Sequence, residues 1–308
     1  MIQTPDYMRL LPPTVLARFS QVRMSARGFV EGFKSGDHRS LYLGSSTEFA
    51  EHREYSPGDD PRGLDWRVYG KMDRYYIKQY VEETNLRATI LLDASASMRF
   101  VGDSAMTVAG GRLSKFGYAQ HLAAAIAYLL TRQGDAVGLV NFDSQVRDRL
   151  PAASKASHLR RLLQTMHQVR PGGESKLASV LHEIAQLIPR RGLVVVISDF
   201  FDDVADITAA LHRLKHRKHE LVLFHVLADE ELHFPYSSAT NFRDLERVAD
   251  EVDVDPAAIR REYLRQFNVY LQQLEAGCGQ VEADYLRLCT KDRYEDSLAS
   301  YLSSRAKR

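Results

Sequence analysis

The stretch Ala88-Thr89-Ile90-Leu91-Leu92-Asp93-Ala94-Ser95-Ala96-Ser97 decides the fold. Its apolar and β-branched run shows no polar alternation and stops abruptly at an acid. Such a run is the pattern of a strand buried on both faces, and these strands belong to parallel sheets covered by helices. Outward from it the same unit repeats. Apolar spacing predicts a helix from about Lys115 to Gln133, then a strand over Ala136–Phe142. Helical spacing returns near Ser157–His167 and at Leu177–Ile188. Leu193-Val194-Val195-Val196-Ile197 is the most apolar strand of the chain and also ends in an acidic loop. A helix closing over Leu211–Lys215 leads into a strand at Leu221–Val226. Alternating buried strands and amphipathic helices predict an α/β domain with a doubly wound, mostly parallel sheet and helices on both faces.

The segment 228-256 breaks this rhythm with Phe234-Pro235-Tyr236 and many charges, and reads as an inserted excursion such as a hairpin. Asp255-Pro256 then has the form of an N-cap followed by proline at the first helical position, opening a helix through Leu274. Tyr285–Leu288 reads as a last strand and Ser297–Ser303 as a last helix. The α/β domain is therefore expected over 86-308. Residues 1-85 differ, forming an N-terminal helix and strand-rich extension expected to pack on the main domain. Its helix is predicted from about Pro13 to Phe33 and its strand over Tyr75–Val81. Between them, Ser56-Pro57-Gly58-Asp59-Asp60-Pro61 is too punctuated for regular structure.

Composition narrows the function. With 308 residues, 44% hydrophobic and 26% charged, the chain can bury a full core as one large or two modest domains. A formal net charge of +1 supplies no bulk field for nucleic acid or an anionic membrane. No apolar run approaches the roughly 20 residues needed to span a bilayer, so membrane insertion is not expected. Met1–Leu11 lacks a basic region followed by an apolar one, and the two cysteines, Cys278 and Cys289, have no metal-site spacing. A reducing, cytoplasmic setting is the expectation. The basic end Arg305-Ala306-Lys307-Arg308 reads as a solvated tail, and Lys215-His216-Arg217-Lys218-His219 as the polar end of a helix.

Ligands of open α/β sheets bind at the carboxyl ends of the strands. Asp93, Ser95 and Ser97 lie just past one buried strand, and Asp199 just past another. A carboxylate and two hydroxyls at alternate positions of a tight loop can aim their oxygens at one centre. That hard-oxygen set suits Mg²⁺, with Mn²⁺ or Ca²⁺ as alternatives, rather than zinc or copper.

Asp-x-Ser-x-Ser after a buried strand resembles the metal-ion-dependent adhesion site (MIDAS) of von Willebrand factor A-type (vWA), Rossmann-like domains. Gly172-Gly173-Glu174-Ser175-Lys176-Leu177 resembles the glycine-rich loop that supplies a threonine there, with Ser175 in its place. Asp199 matches the second aspartate, usually a ligand through water. Glu48-Phe49, Arg53-Glu54-Tyr55, Ser56–Arg62 and Leu64-Asp65-Trp66 resemble the domain of unknown function 58 (DUF58) family, whose vWA-type members are often associated with MoxR-type AAA+ ATPases. The resemblance extends through Phe234-Pro235-Tyr236 and Phe242-Arg243-Asp244-Leu245-Glu246 to the last helix. It departs at Met98–Gly117, a long polar connection containing Gly110-Gly111.

The resemblance implies a non-enzymatic binding module: a metal held by Asp93, Ser95, Ser97, Ser175 and Asp199, completed by an Asp or Glu of an AAA+ ATPase or of its client. Blander roles stand beside these. Ser175 also fits an N-cap for the helix at Leu177, and Asp202 and Asp203 fit solvated or first-turn acids. Trp66 fits a packing anchor or, with Asp65 and Arg67, a partner contact. A metal-dependent phosphoryl or ester hydrolase is the alternative. It needs a positioned base beside the metal, and Asp93 and Asp199 are both committed to ligation. The chain has no Gly-x-Ser-x-Gly elbow or Walker A loop, and His52, His167 and His225 have no evident link to a serine.

Overall fold

The structure, a computed structural model, describes residues 6–19, 24, 47–55, 64–72, 74–82, 86–188, 191–237, 240–246 and 251–306. Two compact units emerge, Gly28–Asn85 and a larger one of Met1–Arg27 with Leu86–Arg308. The boundary at residue 86 coincides with the change in sequence pattern, but residues 1–27 group with the larger unit.

The larger unit is built on six strands: β1 (Arg87–Asp93), β2 (Ala136–Phe142), β3 (Val146–Ala153), β4 (Leu193–Ser198), β5 (Glu220–Leu227) and β6 (Asp284–Cys289). Their order across the sheet is β6-β5-β4-β1-β2-β3. All neighbours are parallel except β2 and β3, which form an antiparallel edge. β3 is absent from the sequence reading for a physical reason. Its Arg147-Asp148-Arg149 and Pro151 suit an exposed edge, where proline is tolerated and no apolar run is required.

From residue 115 on, the described helices are α1 (Lys115–Arg132), α2 (Ala156–Gln168), α3 (Leu177–Leu187), α4 (Val204–His216), α5 (Asp229–His233), α6 (Pro256–Gln280) and α7 (Tyr294–Ala306). Strand side chains divide by the two-residue period. Ile90, Leu92, Val195 and Ile197 enter one core with α1, α2 and α7; Leu91, Val194 and Val196 enter the other with α3, α4 and α6. α1 is buried nearly all round, from Tyr118 to Leu130, and Ser114 caps it by accepting the Gly117 N–H. Asp203 caps α4 and Asp255 caps α6 in the same way.

The excursion after β5 consists of α5 and a hairpin pairing Thr240–Arg243 with Glu251–Val254. Of the helix predicted from Pro13 to Phe33, Pro13–Arg18 is helical, with Val15 and Phe19 buried; beyond Phe19, all but Met24 lies outside the described residues. The basic C-terminal end is not simply a solvated tail. Arg305 is 5% exposed and engages Asp284, Glu220 and Tyr301, while Lys307 and Arg308 lie outside the described residues. In the unit 28–85, strands Thr47–Glu54 and Tyr76–Glu82 pair antiparallel, with a short helix Trp66–Met72 between them in sequence. The Ser56–Arg62 motif is outside the described residues. Among the described residues no helix is long and apolar enough to cross a membrane.

Candidate metal centre

Connections from β1 and β4 lead to opposite halves of the sheet, so the carboxyl ends of these adjacent strands frame the topological switch point. Asp93 closes β1, and Ser198 and Asp199 leave β4 beside it. Asp93 is fully buried; its Oδ1 accepts the Ser95 N–H at 2.8 Å and its Oδ2 the Ser198 hydroxyl at 2.6 Å. The Ser95 and Ser97 hydroxyls lie 3.1 Å apart. Two backbone bonds strap the glycine-rich loop onto this turn: the Ala96 N–H donates to Gly173 C=O at 2.9 Å, and the Gly172 N–H to Ala94 C=O at 2.8 Å. Gly173 adopts φ +84°, and a Cβ there would stand 3.1 Å from Asp143 Oδ2, so this position favours glycine on both counts.

That strap carries Ser175 to the site. Its hydroxyl does not cap α3. Lys176 occupies the N-cap position without a side-chain bond, and Asp202 Oδ2 accepts the Ala178 N–H instead, at 3.0 Å. Ser175 Oγ is buried and has no hydrogen-bond partner among the described residues. Asp199 Oδ1 is in the same condition, while Asp199 Oδ2 accepts from Lys115 Nζ at 2.8 Å.

Lys115 is the residue that sequence reasoning missed. Its ammonium also meets Glu231 Oε1 at 2.7 Å. Burial alone would pull it down, but Asp199 and Glu231 hold it above the ordinary lysine range. Burial likewise opposes charge on Asp199, and the Lys115 ammonium outweighs it, keeping that carboxyl below the ordinary range. Asp93 has no such relief. Burial first, and the Asp199 charge second, push it up to about 7 against the lowering effect of its Ser198 and Ser95 hydrogen bonds. The connection Met98–Gly117 is thus ordered around Lys115. The Lys115 N–H donates to Phe100 C=O, a small hairpin pairs Thr107–Val108 with Gly111–Arg112, and the Asp103 N–H meets Glu230 Oε1 at 2.6 Å.

Asp93, Ser95, Ser97, Ser175 and Asp199 therefore come together at one strand end. Among the described residues no three His, Cys, Asp or Glu side chains form a ready metal cluster. The set is two carboxylates and three hydroxyls, and it fits a hard divalent cation that keeps several waters. Two orphaned buried oxygens and a buried carboxylate lacking a cation are the unmet needs such an ion satisfies.

A cleft of about 380 Å³ opens beside Ser97, Lys115 and Asp199. Phe201, 69% exposed, stands at its rim with Phe242 and Glu246. A larger cleft, about 460 Å³, is lined by Arg87, Gly192 and His219 at the amino ends of the strands, the opposite end of the sheet.

Asp65, Trp66 and Arg67 belong to the unit 28–85. Asp65 is buried and accepts the Arg67 N–H at 2.9 Å, a helix cap; Trp66 is 64% exposed and edge-on to Tyr69 at 6.2 Å. His225 Nδ1 is 2.6 Å from the Tyr285 hydroxyl, and burial pushes its imidazole down to about 3. Its ring packs against Phe200.

A doubly wound sheet of this strand order, with Asp-x-Ser-x-Ser at its switch point, defines a vWA-like α/β protein. Residues 51–271 match the family described as "Protein of unknown function DUF58", and the chain belongs to that family. Mycobacterium bovis "Uncharacterized protein Mb1516" and Mycobacterium tuberculosis "Uncharacterized protein Rv1480" are each 26% identical to it, over 99% of this chain and 95% of theirs. Among solved structures, BatB from Bacteroides thetaiotaomicron aligns at 15% identity and a TM-score of 0.47, over 72% of this chain and 100% of BatB. The SpRpn10 VWA domain aligns at 13% identity and a TM-score of 0.41, over 71% of this chain and 95% of that one.

Proposed function

We propose that this chain is a non-enzymatic protein-binding module with a metal-ion-dependent adhesion site. Asp93, Ser95, Ser97, Ser175 and Asp199 hold Mg²⁺, or Mn²⁺ or Ca²⁺, directly or through water. The cation supplies a coordination position for an Asp or Glu of a partner, a charge-assisted and geometrically demanding contact. One observation carries the reading: the buried Ser175 Oγ and Asp199 Oδ1, without hydrogen-bond partners among the described residues, lie at the end of the sheet that also holds Asp93. Lys115 fixes Asp199, and the exposed Phe201 at the rim offers apolar contact to whatever docks.

Asp93 is engaged by Ser95 and Ser198, and Asp199 by Lys115, an arrangement that supports holding a cation and hence the binding reading. The family resemblance supports a MoxR-type AAA+ ATPase, or a client it remodels, as the partner. The unbridged Cys278 and Cys289 agree with a cytoplasmic setting. Exposed Trp66, with Arg67, offers a second contact in the unit 28–85, and the buried Asp65 caps the helix that carries them. The test is capture from lysate by the full chain with Mg²⁺, with EDTA, and with Ser97→Ala. Capture should require metal and fail in the variant; capture indifferent to both would overturn the reading.

A further inference from the structure

The loop of the Thr240–Arg243/Glu251–Val254 hairpin carries an acid to the metal loop. Glu246 Oε2 accepts the Ser175 N–H at 3.2 Å, and its other oxygen, Oε1, is buried without a partner among the described residues. The Ser97 hydroxyl faces both Glu246 and Asp199, and the two carboxylates repel each other across it. Three buried oxygens from three segments, Ser175 Oγ, Asp199 Oδ1 and Glu246 Oε1, have no hydrogen-bond partner among the described residues. Asp199 is 4% exposed, so its unpartnered oxygen cannot be relieved by bulk water. The Lys115 ammonium compensates Asp199 through Oδ2, whereas the acceptors Asp199 Oδ1 and Glu246 Oε1 have no cation on them among the described residues, a need that a bound cation meets.

The hairpin is built to present this acid. Asp244 Oδ1 accepts the Glu246 N–H at 2.7 Å, turning the chain just after the first strand. At the base, Phe242 stacks on Phe234 at 5.6 Å and meets Tyr236 edge-on at 5.2 Å, while Phe234 lies 4.7 Å from Tyr263 of α6. The base is thus anchored by aromatic packing, whereas the Glu246 carboxylate meets the Ser175 N–H and faces the Ser97 hydroxyl.

We infer that Glu246 is an internal ligand of the metal centre, filling from within the chain the position an acidic partner residue takes, so that a partner's acid must displace the Glu246 carboxylate. The inference rests on the metal reading above. Asp93, Asp199 and Glu246 do not converge as a three-acid cluster in this structure.

The test uses the full chain and Mn²⁺, a hard cation whose paramagnetism reports its bound waters. Calorimetry gives its affinity for wild type, Glu246→Ala, Glu246→Gln and Asp93→Ala. Glu246→Ala should weaken Mn²⁺ by about 10-fold, the scale seen when a group supporting a metal is lost. Water-proton relaxation by the bound ion should rise, because a water replaces the carboxylate. Added acetate should lower that relaxation in Glu246→Ala and leave wild type unchanged. Glu246→Gln removes the charge while keeping an acceptor for the Ser175 N–H, and carries the test if the alanine variant folds poorly. Wild-type affinity and relaxation in both Glu246 variants, with binding lost in Asp93→Ala, would overturn the internal ligand and leave the metal site standing. Absence of Mn²⁺ binding by wild type would overturn both.

Discussion

Lys115 Nζ stands 2.8 Å from Asp199 Oδ2, with both side chains 3% exposed. A cation at the first position of α1 thus holds one oxygen of the acid that ends the strongest strand and leaves the other facing the metal loop. The pair is a positioning device, and its energetics follow from burial. Removing one partner strands the other in low dielectric. Lys115→Ala should destabilise the fold by about 3 kcal/mol in urea melts. The same change in an Asp199→Asn background should cost less, because only the partly exposed Glu231 then loses its cation. Equal costs in the two backgrounds would show that the pair is not coupled.

Asp93 separates the fold from the metal. It lies at the end of β1, bonded to Ser95 and Ser198, with no cationic partner in those contacts. Asp93→Asn keeps the side chain's shape and lifts the charge, so the metal-free variant should melt at or above the wild-type temperature. Mg²⁺ at about 100 times its Kd should stabilise wild type by about 2.7 kcal/mol and the variant by nearly nothing. Differential scanning calorimetry with and without Mg²⁺ reads both quantities. A full Mg²⁺ effect in Asp93→Asn would remove this residue from the site.

The difference between legible and illegible residues is one of range. Asp93 and Asp199 each end an unbroken apolar run, so the strand pattern alone puts them at one end of the sheet. Ser175 follows a glycine pair whose φ and tight contact with Asp143 demand that composition. Lys115 and Glu246 carry no such local mark. Lys115 reads as one more charge in a polar connection, and its partner Asp199 is 84 positions away. Glu246 is an acid in a charged excursion until the hairpin folds it onto Ser175. β3 escaped because an edge strand needs no apolar period. Arg305 escaped because composition does not show that Asp284 and Glu220 wait beneath it.

Asp135 gives a pH dependence away from the metal loop. It is 9% exposed and accepts the Leu86 N–H at 3.0 Å, tying the start of β1 to the turn before β2. Burial pushes its carboxyl up to about 6, against the lowering effect of that hydrogen bond. The folded state therefore binds this proton more tightly than the unfolded chain, where the value is 3.8. Its contribution is fully present below pH 3.8 and is lost as pH rises through 6. Asp135→Asn keeps the acceptor and abolishes ionisation. It should be more stable than wild type by about 1 kcal/mol at pH 8, after allowance for solvent screening, with the gap closing towards pH 4. Urea melts at the two pH values measure the gap, and a pH-independent difference would rule out this titration.

Arg305 tests whether the C-terminal helix is a structural part of the sheet. Its Nη1 donates to Asp284 Oδ2 at 2.9 Å and to the Tyr301 hydroxyl at 2.6 Å, and its Nη2 meets Glu220. One guanidinium therefore fastens α7 to the first residues of both β6 and β5, and its side chain is only 2% exposed. Arg305→Ala should cost about 3 kcal/mol, since two carboxylates lose their shared cation and the stem leaves a void. Arg305→Met restores the stem but not the charge and should recover only the packing share. Adding Asp284→Asn to Arg305→Met should recover a further part by removing one stranded anion. Near-wild-type urea midpoints for Arg305→Ala would instead mean that α7 is held by its core residues Tyr294, Leu298, Tyr301 and Leu302.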